Sequence, residues 1–130
     1  MSTRRVLVLD DDASARKLVE VVLSKNGYKV VAVGDVPSAL GHLQEAPFDL
    51  LVSDYNLPEM DGLALIAKAR QLQPALRAVL MSGDVRDEMR QAATSGGAAG
   101  FLAKPFHLPQ LVELCRQALE KPLPTPPVAV

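Results

Sequence analysis

Tryptophan is absent from this 130-residue chain, and aromatic residues make up only 4% of it. With 48% hydrophobic residues, a core must therefore be aliphatic, built from Val, Leu and Ala. A single cysteine, Cys115, excludes an internal disulfide, which suits a reducing cytosol. No apolar run approaches the ~20 residues that a membrane helix needs. The charged N-terminus is followed by only a short apolar run, Val6 to Leu9, before Asp10, which does not match a signal peptide. Clustered basic charge is also missing. No basic run is longer than two residues, as at Arg4-Arg5, and the formal net charge is -1, so a nucleic-acid footprint is not expected. There is no Gly-x-x-x-x-Gly-Lys-Ser/Thr loop, no helix-turn-helix and no internal repeat. The expectation is one soluble, cytoplasmic domain, with neither membrane nor nucleic acid as a partner of this chain.

What is present is an alternation of two patterns. Val6-Leu7-Val8-Leu9 is a continuous apolar run, as in a strand covered on both faces. Ala13 to Lys25 has helical spacing, with Ala15, Leu18, Val19, Val22 and Leu23 on one face and Arg16, Lys17 and Glu20 on the other. Asn26-Gly27 supplies its stop. Val30 to Val33 is a second strand. Asp35 can cap the next helix, with Pro37 in its first turn and Ala39, Leu40 and Leu43 as its stripe. Leu50-Leu51-Val52 is a third strand ending in Ser53-Asp54, and Leu63 to Leu72 a helix. Ala78 to Met81 is a fourth strand. Asp87 to Ser95 is a weaker helix carried by Met89, Ala92 and Ala93, ended by Gly96-Gly97. Gly100 to Ala103 is the fifth strand. Leu108 to Glu120 is a clear helix, with Leu108, Leu111, Val112, Cys115, Ala118 and Leu119 on one face. Five strands alternating with five helices predict an α/β doubly wound parallel sheet covered on both faces. The domain is expected over residues 4–121, and residues 122–130 read as a Pro-rich tail or the stub of a linker.

In such folds the working site lies beyond the carboxyl ends of the strands. The first strand ends in Asp10-Asp11-Asp12, the third in Asp54, the fourth in Ser82 and the fifth in Lys104-Pro105. Each has an ordinary reading alone. Asp12 is best read as a helix cap, Ser82 as a turn residue, Lys104 as a solvated charge and Asp54 as a turn starter. Their joint placement on one rim favours a site. Carboxylates ~4 Å apart interact by about 4 kcal/mol at an effective dielectric of 20, and a hard divalent cation relieves that repulsion. Oxygen ligands with retained waters suit Mg²⁺. A carboxylate beside Mg²⁺ can take a phosphoryl group as an acyl phosphate. The cation, the Lys104 ammonium and the Ser82 hydroxyl can then stabilise its three oxygens.

Four segments carry a family resemblance: Val6-Leu7-Val8-Leu9-Asp10-Asp11, Ser53-Asp54-Tyr55-Asn56-Leu57-Pro58-Glu59-Met60-Asp61-Gly62, Leu80-Met81-Ser82-Gly83 and Gly100-Phe101-Leu102-Ala103-Lys104-Pro105-Phe106. Over about residues 4 to 120 the chain resembles the receiver domains of two-component response regulators, similar to the chemotaxis-regulator type. The resemblance implies a flavodoxin-like strand order, 2-1-3-4-5. It implies that Asp54 is the phosphoacceptor, with Lys104 and Ser82 assisting. Mg²⁺, or Mn²⁺, would be held by Asp11 directly, Asp10 largely through water, Asp54, and the backbone carbonyl of Asn56. Ser82 and Phe101 would be a switch pair, and the Lys104–Pro105 bond would be cis. The phosphodonor would be a sensor histidine kinase or a histidine phosphotransfer protein. A downstream protein or a second copy would dock on the face of helix 4, strand 5 and helix 5. Self-catalysed phosphotransfer and autodephosphorylation would be the only chemistry. Two departures stand out: Ser82 where Thr is common, and Phe101 where Tyr is common.

The same residues admit rival readings. A haloacid-dehalogenase-like phosphatase would use Asp10 as nucleophile, but it needs a further acidic strand end after the Lys and leaves Asp54 unexplained. A pure interaction module is disfavoured because every residue the chemistry needs is present. A phosphate relay or sink cut from a hybrid kinase fits the same site. His42 and His107 lack a second ligand at metal spacing and read as solvated or capping. Cys115 reads as core.

Overall fold

The computed structural model describes residues 3–121, so the expected tail at 122–130 lies outside the described residues. The elements alternate as anticipated: β1 (Arg5–Leu9), α1 (Ala13–Lys25), β2 (Lys29–Val33), α2 (Val36–Glu45), β3 (Leu50–Asp54), α3 (Gly62–Leu72), β4 (Arg77–Ser82), α4 (Asp87–Ser95), β5 (Gly100–Ala103) and α5 (Leu108–Glu120). The sheet order is β2-β1-β3-β4-β5, and every pairing is parallel. Three aspartates set helix starts through their side chains. Asp12 Oδ1 accepts from the Ser14 N–H, Asp35 Oδ1 from Ser38 and Asp61 Oδ1 from Ala64.

Alternation along the strands sorts the core into two layers. Leu7, Leu9, Leu51 and Leu80 face α2, α3 and α4, where Ala39, Leu65, Ile66 and Met89 meet them. Val6, Val8, Leu50, Val52, Val79 and Met81 face α1 and α5, against Val19, Leu23, Leu111 and Cys115. The inner strands are therefore apolar on both faces and stay buried to their carboxyl ends.

Three expected core positions are exposed. Leu18 is 47% exposed, because the buried stripe of α1 is centred on Val19 and Leu23 and one residue is a 100° turn away. Leu108 is 38% exposed, because the first turn of α5 starts at the rim, beyond the end of β5. In α4 only Met89 and Ala93 are buried, and Ala92 faces out. Arg16 corrects in the other direction: expected on the solvated face, it is half-buried.

Candidate functional site

Backbone hydrogen bonds carry the strand ends to the rim. The Asp10 N–H donates to Val33 O, the Tyr55 N–H to Met81 O and the Lys104 N–H to Ser82 O. These bonds place Asp10, Asp54, Ser82 and Lys104 along one edge, as the sequence pattern required. Gly62 closes the loop that follows β3, its N–H donating to Tyr55 O. A Cβ there would lie 2.5 Å from Asp54 O and 2.7 Å from Leu80 Cδ1, so only glycine fits against the end of β3.

Asp10 is 1% exposed and Asp54 7%, while Asp11 is open to solvent. Carboxylate oxygens of Asp10, Asp11 and Asp54 lie within 4.8 Å of one another. The Lys104 ammonium donates to Asp10 Oδ2 at 3.1 Å and sits 3.2 Å from Asp54 Oδ1. The Lys104–Pro105 peptide is cis. The other oxygen of Asp10, Oδ1, accepts from the Asp12 N–H at 3.0 Å. Burial pushes the Asp54 carboxyl above its ordinary value; the Lys104 ammonium opposes this and the Asp10 carboxylate adds to it. Burial pulls Lys104 down, but bonds and charge from Asp10 and Asp54 together carry it above its ordinary value.

Three carboxylates against one ammonium leave two uncompensated negative charges when all are ionised. All the donors are hard oxygens, and the exposed Asp11 leaves room for water. That donor set fits Mg²⁺ or Mn²⁺. Asn56 lies exposed, two residues beyond Asp54 in the loop before α3. Asp12 is the cap of α1, as expected, and does not enter the carboxylate cluster.

Ser82 is fully buried, and its Oγ accepts from the Asp84 N–H at 3.0 Å. Leu80 pairs with Phe101 and Ser82 with Ala103, so Ser82 and Phe101 point to the same side of the sheet, two registers apart. Phe101 is half-buried, and the Arg90 guanidinium lies 4.8 Å from its ring centroid. Arg90 and Arg16 were not read from the sequence as site neighbours. Arg16 read as a solvated helix charge and Arg90 carried no signal, and only the fold brings them to Asp10 and to Phe101. Arg16 Nη1 donates to the Asp10 backbone carbonyl at 2.9 Å. His107 precedes α5, and its N–H donates to Gln110 Oε1, which agrees with a capping role.

Comparison with known proteins decides the family. The response regulator receiver domain model matches residues 6–116. The chain belongs to the response regulator receiver family. It is 36% identical over 109 residues to the response regulator receiver protein CpdR of Brucella abortus, covering 84% of this chain and 91% of that one. It is 31% identical to the chemotaxis protein CheY of Bacillus subtilis, covering 88% and 97%. A CheY-like receiver domain from Methanospirillum hungatei superposes with a TM-score of 0.85 at 27% identity, covering 92% and 95%. Receiver domains also occur inside longer proteins. The match to the transcriptional regulator DctD of Rhizobium meliloti covers 89% of this chain but 25% of that protein. The receiver family acts as a phosphoacceptor, and this chain is a receiver domain with its characteristic five-stranded fold.

Proposed function

We propose that this receiver takes a phosphoryl group on Asp54 from a phosphohistidine of a sensor kinase or histidine phosphotransfer protein. The observation that carries this is the convergence of Asp10, Asp11 and Asp54 with the Lys104 ammonium at the end of the buried central strand. In the transfer, an Asp54 carboxylate oxygen forms a bond to phosphorus as the P–N bond breaks, and the imidazole nitrogen keeps the electron pair and takes a proton. Bound Mg²⁺ or Mn²⁺, held by Asp10, Asp11, Asp54 and the Asn56 carbonyl, would supply positive charge to the phosphoryl oxygens. Lys104 is placed to donate to a second oxygen. The Ser82 hydroxyl can leave its bond from Asp84 to reach a third.

The same chemistry supplies an output. A phosphoryl group adds roughly -1.5 to -2 charge and three acceptor oxygens. Drawing Ser82 toward it vacates space on the side of the sheet that Phe101 shares. An inward turn of Phe101 would reshape the face of α4, β5 and α5, which would then contact a downstream protein or a second copy. A cytoplasmic setting and signalling without DNA contact by this chain complete the reading. No described helix is long and apolar enough to cross a membrane.

Incubation with acetyl phosphate and Mg²⁺, followed by mass spectrometry, tests the proposal. The expected result is one acid-labile phosphate on Asp54, lost in Asp54→Asn and in EDTA. Label on Asp10 would instead support the phosphatase reading. That reading is disfavoured because it leaves Asp54, buried at the end of β3 and paired with Lys104, without a role.

A further inference from the structure

We infer that Arg16 is a positioning residue for the acidic site, and that Gly34 exists to admit it. This rests on the metal-dependent phosphoacceptor reading above.

Asp10 lies just past the last residue of β1, where the ladder to β2 gives out. Its N–H still reaches Val33 O, but at 3.3 Å. Its carbonyl then requires a donor from outside the sheet. Arg16 Nη1 supplies one at 2.9 Å. The bond is charge-assisted and joins α1 back to the turn that precedes it. The same helix turn is fixed at its base, where the Arg16 N–H donates to Asp12 O at 2.9 Å. The backbone bond is that of any first helical turn; the side chain adds the tie back to Asp10.

The guanidinium is seated over Gly34, at the carboxyl end of β2. A Cβ on Gly34 would lie 2.6 Å from Arg16 Nη1 and 3.3 Å from Cζ. Gly34 has no positive φ, so its backbone would accept alanine. The three atoms nearest to that Cβ all belong to the Arg16 guanidinium. The seat also places positive charge near Asp35, whose carboxyl is held below its ordinary value first by hydrogen bonds from Ser38 and then in part by the charge of Arg16.

The Arg16 bond fixes the peptide plane between Asp10 and Asp11. That plane sets the direction in which both carboxylates leave the backbone. Charge alone would act with the opposite sign, since a cation beside the cluster repels a divalent ion. The sign of the effect on metal affinity therefore separates positioning from mere charge. Partners that orient metal ligands typically contribute roughly 10- to 100-fold to affinity.

The test is Mg²⁺ titration by calorimetry, with thermal unfolding measured in EDTA for every variant. Arg16→Met keeps the apolar stem and removes the fork. It is expected to weaken Mg²⁺ roughly 10-fold or more. Arg16→Lys keeps the charge and should recover only part of that loss. Gly34→Ala leaves Arg16 intact but displaces its guanidinium, and should reproduce the Arg16→Met effect in weaker form. The double variant should be no worse than Arg16→Met, because the two changes break one contact. Unchanged or tighter Mg²⁺ binding in Arg16→Met would overturn the inference, as would a loss of unfolding temperature in EDTA with no loss of affinity. If the wild-type protein binds no Mg²⁺, the phosphoacceptor reading falls and this inference with it. Failure of the variants alone removes only the role of Arg16.

Discussion

The two flanks of the sheet are built to different standards. On one side β1 and β3 are buried along almost their whole length, and α1, 13 residues from its Asp12 cap, packs on β2 and β1 and buries Val19 and Leu23. On the other, α4 runs 9 residues, has no side-chain cap at its start and buries only Met89 and Ala93. The strand beside it, β5, has four residues, of which only Leu102 is buried. The first flank carries Asp10, Asp11 and Asp54, where charges must be held in place. The second carries Phe101, where movement would serve as output. Each helix buries two side chains, so the contrast lies in the strands and the helix start: buried β1 and β3 stiffen the first flank, while the short β5 and the uncapped α4 leave the second more open to local unfolding.

Core truncations offer the largest effect that can break this contrast. Leu51→Ala, at a fully buried position of β3, should cost about 2–5 kcal/mol. It should lower protection from amide exchange throughout the sheet. Met89→Ala should instead raise exchange mainly in residues 87–99, leaving β1 and β3 protected. A sheet-wide loss in Met89→Ala would show that α4 belongs to the same cooperative unit as the core.

The site itself should be stabilised by losing its acceptor charge. The Asp54 carboxyl is raised above its ordinary value by burial, with repulsion from Asp10 adding to it and Lys104 only partly opposing. A carboxyl raised on folding favours its neutral form, so metal-free stability should fall as pH rises from the unfolded value through the folded one. Asp54→Asn fixes the neutral form and should raise the unfolding temperature in EDTA at pH 7. Saturating Mg²⁺ should shrink or reverse that gain, because the cation stabilises only the ionised site. An unfolding temperature in EDTA that is unchanged or lower in Asp54→Asn would show that Lys104 already compensates Asp54 fully.

A smaller effect belongs to the cation–π contact on the loose flank. Arg90→Gln removes the guanidinium from the Phe101 ring and should cost about 0.5–1 kcal/mol or less, as expected of an exposed pair. Ring resonances of Phe101 should broaden or shift while those of the core stay put. Unaltered resonances would mean that the ring is held by Leu80 and its neighbours alone.

How much of this was readable in advance divides along the same line. The strands and the rim residues Asp10, Asp54, Ser82 and Lys104 follow from apolar runs that end abruptly in polar residues, because a strand buried on both faces tolerates nothing else; the order of the strands came from the family resemblance alone. Helix faces were readable only to within about one residue. Leu18 and Val19 are both apolar, and which one is buried depends on where the neighbouring sheet lies. The role of Gly34 was not legible, since its partner Arg16 is 18 positions away in sequence and looks like any solvated helix arginine. The bonds from Arg16 to the Asp10 carbonyl and from Asp84 to Ser82 are set by loop geometry that no periodicity encodes.

The smallest effect concerns the turn between the two flanks. Asp84 accepts from the Arg86 guanidinium at 2.9 and 2.7 Å and from the Arg86 N–H at 3.1 Å. Those bonds pull its carboxyl down to about 2. A carboxyl depressed on folding contributes stability that is present above its unfolded value near 4 and lost as pH falls toward 2. The pair lies at the surface, with Arg86 exposed and Asp84 half-buried, so its contribution is small and screened by salt. Its local consequence is sharper, because the Asp84 N–H is what holds the buried Ser82 hydroxyl. Acidification between pH 4 and 2 should therefore loosen residues 83–86, and the Arg86 side-chain N–H resonance should follow the titration. In Asp84→Asn this step should vanish while the behaviour of Asp54 is kept. The two carboxyls thus answer acid in opposite senses: protonation relieves the crowded charge at the rigid rim and undoes the turn that leads into α4. If Arg86 shows no titration in that window, the turn is held by its backbone alone and the loose flank begins later, at α4 itself.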